Sequence, residues 1–211
     1  PFYGSIDATP LFVILLDELV TATGDLTPVR DLKPNWEAAL HWIRNEGDLD
    51  GDGFLEYGAT RDGELVPQSW KDSSDSMSHS VGSLAHGPVA PCEFQGYAYW
   101  AYRAAARFYG ALGEKENAEH WEQEAVSLKR AFHEAFWQED TDMYAMALDG
   151  AKKPLRVKNS NAGQLLISEI VDDQVVPILV KNLFSSELWS GWGIRTLGTE
   201  EKRYNPVSYH N

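Results

Sequence analysis

Cysteine is nearly missing from this chain of 211 residues: Cys92 stands alone. An internal disulfide and a multi-cysteine zinc site are therefore excluded, and a reducing, cytoplasmic setting is expected. Positive charge is scarce as well. Against 32 Asp and Glu there are 18 Lys and Arg, a formal net charge of −14, with a pI near 4.7. Such a surface repels phosphate backbones and anionic membranes, so no nucleic-acid partner is expected. Long hydrophobic runs are lacking too. The longest, residues 11–16, is broken at once by Asp17 and Glu18, far short of the roughly 20 residues that span a bilayer. No signal-peptide pattern is present, and no membrane partner is expected. The histidines, His41, His79, His86, His120, His133 and His210, show no HExxH spacing, which argues against a zinc enzyme. There is no GxSxG elbow to support serine-hydrolase chemistry, and no glycine-rich phosphate loop, which removes most nucleotide enzymes.

What is present reads as one folded domain, with 43% hydrophobic and 12% aromatic residues. Residues 9–21 predict a helix, with Thr9 as the cap and Pro10 in the first turn. Its dense apolar content predicts burial on all sides. Residues 33–45 predict a second helix, whose Trp36, Ala39, Leu40 and Ile43 share one face. Residues 47–91, rich in Gly, Asp, Ser and Pro, predict a long loop region, and loops of that length are usually functional. Helical pattern returns over 93–112, stops at Gly113, and restarts over 115–137, where Trp121, Ala125, Leu128, Phe132 and Phe136 form a stripe. A hairpin or irregular excursion is expected over 140–157, then helices over 161–170 and 172–184. About six helices and little strand predict an all-α fold of antiparallel pairs with loops gathered at one end. Periodicity alone leaves an open array, a bundle and a closed ring as alternatives.

Several segments are hard to explain by packing. QSWKDSSDS, residues 68–76, puts Trp70, Lys71, Asp72 and Asp75 into one loop. A Trp is a platform for the apolar face of a sugar, the polar groups suit hydroxyls, and a carboxylic acid of raised pKa can protonate a leaving oxygen. The competing reading is a surface loop with caps and an ion pair. Asp7, just before a helix, either caps it or holds a ligand hydroxyl. Glu93 and Gln95 open an otherwise apolar helix together with Gly96, and SGWGIRT embeds Trp192 and Arg195 among small residues. All of these lie at helix ends or in loops, where sites are usually built.

A different chemistry is suggested by DLDGDGFLE, residues 48–56. Asp48, Asp50 and Asp52 alternate and are followed by Gly53, as in the first half of an EF-hand loop, with Phe54 offering a carbonyl at position seven and Glu56 standing at position nine. Position twelve is Ala59, so the bidentate Glu is missing, and Ca²⁺ would need a ligand from elsewhere. The alternative is an acidic turn without metal.

Taken in order, FYGSIDATPLF, GDLDGDGFLEY, WKDSSDS, EFQGYAY, SNAGQLL, SGWGIRTL and YNPVSYHN resemble the amylo-α-1,6-glucosidase group of bacterial glycogen-debranching-like proteins. That group is related to glucosidase I and mannosylglycerate hydrolase, and the resemblance runs from residue 2 to 211. It implies a partial (α/α)6 toroid of the six-hairpin glycosidase kind and inverting hydrolysis of α-glucosidic bonds in an α-glucan or oligosaccharide. It further implies Asp75 as the general acid, with Asp7, Trp70, Lys71, Asp72, Glu93, Gln95, Trp192 and Arg195 around the glucose subsite. No cofactor is required, and the Asp-rich loop resembles a calcium loop of some relatives. The group's general base is a Glu beyond the YNPVSYHN segment. Alternatives are another α-glycosidase on the same fold, acting on trehalose, mannosylglycerate or an oligosaccharide, and a noncatalytic helical module that binds sugar or calcium. The ends, Pro1 and Asn211, predict an internal fragment of one catalytic domain, residues 1–211, truncated at both ends. Such a piece is expected to turn over little for want of the base, and to self-associate through apolar faces left open.

Overall fold

A computed structural model describes residues 5–58 and 67–210; Phe2, Tyr3 and Gly4 of the FYGSIDATPLF segment and Ala59 of the Asp-rich loop lie outside them. The described residues form seven helices: α1 (Ala8–Thr23), α2 (Thr27–Asp31), α3 (Lys33–Arg44), α4 (Cys92–Leu112), α5 (Lys115–Phe136), α6 (Asn161–Ser168) and α7 (Val176–Leu183). Strand is confined to two-residue pieces. β1 (Ala90–Pro91) pairs antiparallel with β4 (Ala147–Leu148), and β2 (Trp137–Gln138) with β3 (Met143–Tyr144).

The centre of the fold is α4, which packs against α5, α1 and α6. Its buried Ala98, Ala101, Ala104 and Ala105 let neighbouring helices approach closely. Gly96 has the same use: a Cβ there would lie 2.7 Å from Ser168 Oγ of α6. The helix ends at Gly113, whose φ of 82° suits only a residue without Cβ. The stripe foreseen on α5 faces α4, with Ala125, Leu128, Phe132 and Phe136 buried. Phe132 stacks on Phe136 at 4.6 Å and on Tyr144 at 5.0 Å. Burial of each such ring contributes about 1.5–3 kcal/mol. On the other side, Trp36 of α3 meets Phe108 and Tyr109, and its Nε1 donates to Val29 O at 2.9 Å.

Three expectations need correction. Thr9 is not the cap of α1: the helix begins at Ala8, and Asp7 occupies the cap position without a side-chain cap hydrogen bond. Nor is α1 covered all round. Val13, Ile14 and Leu16 are buried, whereas Leu11, Leu15 and Leu19 form an open row, Leu15 being 69% exposed. The third concerns 172–184, where the helix is only Val176–Leu183 because Asp172 instead caps a turn, accepting from Gln174 N at 2.8 Å.

The described residues of the 47–91 region hold no helix, yet they are anchored. Leu55, Tyr57, Met77 and Val89 join Phe94, Met146, Leu155 and Leu197 in a second, smaller core beneath the loops. Tyr57 and Val89 exchange backbone hydrogen bonds of 2.9 and 2.8 Å. Through Phe94 this core seats the loops on the N-terminal end of α4.

Candidate functional site

Glu93 lies in the first turn of α4 and is fully buried. Its Oε1 accepts from Trp70 Nε1 at 2.8 Å and from Asn161 Nδ2, at the start of α6, at 2.9 Å. One carboxylate thus ties the 68–76 loop to two helix N-termini. Burial pushes the Glu93 carboxyl above its usual value, against the pull of the Asn161 hydrogen bond. Lys71 is likewise fully buried, and its Nζ donates to Thr196 O at 3.1 Å and points at Met146 Sδ at 3.7 Å. Burial lowers the Lys71 ammonium to about 8, opposed by the Glu93 charge. A side chain so enclosed does not reach a sugar; Lys71 pins the loop to the segment that carries Arg195.

That shift has a measurable consequence. Between pH 8 and 10.5 the unfolded chain holds the Lys71 proton while the folded chain has released it. Stability is then gained as pH rises through this window and lost as it falls. Relative to Lys71→Met, the wild type should gain about 3 kcal/mol between pH 7.5 and 10.5 in urea unfolding. A stability difference flat across that range would contradict the buried ammonium.

Above this knot the loop carries its two open carboxylates. The Asp72 side chain is 59% exposed and the Asp75 side chain 48% exposed. Arg203 Nη1 stands 3.9 Å from Asp75 Oδ2. His210, itself buried, touches Ser73 between them and meets the Trp70 ring edge-on at 5.8 Å. Trp70 is half-buried, with Lys71 Nζ over its ring at 5.8 Å from the centroid.

The remaining sequence candidates divide. Asp7 is brought alongside, since Ile6 N donates to Gln68 O at 3.3 Å. Its charge and that of Glu93 reach Tyr97, whose hydroxyl, raised chiefly by burial, donates to Gln164 of α6. Gln95 spends its amide on backbone: Nε2 donates to Leu55 O at 2.7 Å and Pro91 O at 3.0 Å, and Oε1 accepts from Leu55 N at 2.8 Å. It holds the loop core rather than an open subsite. Arg195 has a buried Nη1 with no hydrogen-bond partner among the described residues, as have Asn161 Oδ1 and Ser69 Oγ. Each of these three atoms is shut off from solvent, as Lys71 is. Trp192 is 98% exposed at the tip of a turn closed by Ser190 Oγ and packs against nothing. Asn161, Tyr97, Gln164 and His210 were missed as individuals, although the SNAGQLL, EFQGY and YNPVSYHN segments contain them. The cavity of about 380 Å³ bounded by Asp17, Trp100, Arg107 and Glu169 includes none of these residues; it lies farther along α1, α4 and α6.

The Asp-rich loop forms a separate centre. Oxygens of Asp48, Asp50 and Glu56 lie within 4.8 Å of one another. Asp48 accepts from the amides of Gly51, Asp52 and Gly53. Lys152 Nζ enters the cradle, 2.7 Å from both Asp50 Oδ2 and Asp52 Oδ2, and bonds to Glu56 Oε1. The Phe54 ring, as distinct from the carbonyl offered to the loop, lies edge-on to Phe136. Glu56 is buried, and its Oε2 has no partner among the described residues. Although burial alone would lower it, the three carboxylates hold the Lys152 ammonium well above the usual lysine range. The donor set fits a hard cation, and an ammonium stands at its place.

A sequence model of the mannosylglycerate hydrolase MGH1-like glycoside hydrolase domain matches residues 4–211. No curated protein matches the chain by sequence. Among solved structures, a protein described as a sialidase superposes with a TM-score of 0.69 over 88% of this chain at 14% identity. A rhamnosidase from Klebsiella oxytoca with rhamnose bound gives a TM-score of 0.55 over 85% of the chain at 18% identity. The chain spans 16% and 30% of those two structures. At such identities the likeness is one of fold, and the fold is that of a partial helical toroid.

Proposed function

The chain belongs to the mannosylglycerate hydrolase MGH1-like glycoside hydrolase domain family, and from that premise we propose that it forms the acid side of an α-glycosidase site of the debranching type. Asp75 protonates the leaving glycosidic oxygen, and water attacks from the opposite face with inversion. The base that activates this water is a Glu beyond residue 211. An inverting pair stands roughly 6.5–9.5 Å apart with water between. The buried carboxylates Glu93 and Glu56 are engaged by Trp70, Asn161 and Lys152, so neither is free to serve as that base.

One observation carries this reading. A fully buried knot of Glu93, Lys71 and Asn161 fixes a loop whose Asp72 and Asp75 stay open to solvent. Rigid support under exposed carboxylates is the arrangement acid catalysis needs, because protonation must meet the leaving oxygen in one geometry. Trp70 offers its half-buried ring to a sugar face, and Asp72, Asp7 and Arg195 offer polar groups to hydroxyls.

The family's description names mannosylglycerate, which favours a second reading, a glycoside of a small anionic acid. Arg195, half-buried on the segment that Lys71 ties to the loop, would receive the carboxylate. A panel of an α-1,6-branched glucan stub, trehalose and mannosylglycerate, offered to the full-length protein, separates the two. Turnover of the glucan stub supports the debranching reading, and turnover of mannosylglycerate alone replaces it.

Calcium enters the same account as a structural ion held by Asp48, Asp50 and Glu56, in competition with Lys152. Removing the ammonium leaves Asp50, Asp52 and Glu56 without their counter-charge, so Lys152→Met should bind Ca²⁺ about tenfold more tightly by calorimetry than the wild type does. Equal affinity in both proteins would contradict the competition.

A further inference from the structure

Acid catalysis from the 68–76 loop requires Ser73, one of the two residues between Asp72 and Asp75, to be held in place, and no helix or strand runs through it. Its backbone N–H donates to His210 Nδ1 at 3.3 Å, and its hydroxyl lies 2.8 Å from the same nitrogen. Since Nδ1 accepts the amide proton, it carries none of its own. The neutral ring therefore bears its hydrogen on Nε2, and the Ser73 N–H and hydroxyl share the one lone pair of Nδ1. His210 is 3% exposed, with its ring between Trp70 at 5.8 Å and Tyr209 at 4.1 Å between centroids. A buried ring that accepts two hydrogen bonds from one residue, 137 positions away in sequence, is a fixed peg for the loop.

We propose that His210 is a positioning residue, whose unprotonated Nδ1 holds Ser73 and through it sets the direction of Asp75. The inference rests on the assignment of the acid to Asp75, but the tie to Ser73 can be read without it. The charged groups facing His210 are Asp72, Lys71 and Asp75. Burial lowers the imidazole pKa, with Asp72 pulling the other way, so the ring stays neutral near neutral pH. In acid, a proton on Nδ1 ends its acceptor role toward Ser73 and turns it to Asp72 Oδ1, already 3.9 Å away. The acid loop is then re-aimed.

The test uses His210→Ala, His210→Asn and His210→Gln in the full-length protein. Asn places Oδ1 where the imidazole has Nδ1, whereas Gln places its oxygen nearer Nε2. In hydrogen–deuterium exchange, the peptide containing Ser73 should exchange at least tenfold faster in His210→Ala and His210→Gln, with α4 and α5 unchanged. His210→Asn should restore protection. Hydrolysis should follow, with kcat reduced at least tenfold in the Ala and Gln variants, KM little changed, and Asn rescuing. Should His210→Ala fail to fold, the contrast between Asn and Gln decides. Unchanged exchange at Ser73, or rescue by Gln equal to that by Asn, overturns the proposal. Faster exchange with undiminished kcat leaves the peg standing and removes the acid from this loop instead.

Discussion

Asp75→Asn in the full-length protein is expected to lower kcat on an α-glucoside with a sugar leaving group by about 10²- to 10⁴-fold, with KM little altered. The amide keeps the shape of the side chain and loses the proton that the leaving oxygen needs. The Asp75 side chain is 48% exposed and its ion pair with Arg203 is long, at 3.9 Å; exposed pairs of this kind contribute about 0–1 kcal/mol, and circular dichroism of the variant checks that the fold is kept. Two controls sharpen the result. An α-glucosyl fluoride, whose leaving group departs without a proton, should be hydrolysed by the variant almost as well as by the wild type. Asp72→Asn should act mainly on KM, as expected of a residue that reads hydroxyls. Equal loss on both kinds of leaving group would mean that Asp75 binds rather than protonates.

Glu93→Ala is expected to cost about 3–5 kcal/mol of stability, because it strands buried partners rather than removing a surface charge. Trp70 Nε1 and Asn161 Nδ2 both lose their acceptor, the Lys71 ammonium loses its nearest countercharge, and a cavity opens where the chain was fully enclosed. Each unsatisfied donor costs about 1–3 kcal/mol. Glu93→Gln keeps an acceptor oxygen for both donors and should cost far less. Urea unfolding followed by circular dichroism gives both values, and a cost for Glu93→Ala below that of Glu93→Gln would show that the carboxylate is not the knot of the site.

The longer helices were legible because their apolar spacing is strong. The stripe from Ala125 to Phe136 and the face of Trp36, Leu40 and Ile43 are buried as their periodicity requires. The five-residue α2 (Thr27–Asp31) is too short to show a period and was not foreseen. The open Leu11, Leu15 and Leu19 row was misread as buried because hydrophobic content alone does not say which face has a neighbour. At the site, the sequence brought Trp70, Lys71, Asp72 and Asp75 together because they are adjacent. It could not show that Lys71 is buried beneath the loop while Asp72 remains exposed, which depends on Thr196 arriving from 125 positions away. Nor could it show Gln95 turned to the backbone of Leu55, or Lys152 inside the acidic loop, for both contacts join segments with no relation in sequence. Trp192 was picked for its residue type, and residue type does not report that its ring is 98% exposed.

The most direct test of the account is the configuration of the sugar first released by the full-length protein from an α-glycoside, followed by proton NMR before mutarotation. Inversion predicts the β-anomer as the first product, with the α-anomer rising only later. First release of the α-anomer would require a covalent intermediate on a second carboxylate about 5–5.5 Å from the acid, and would contradict the account.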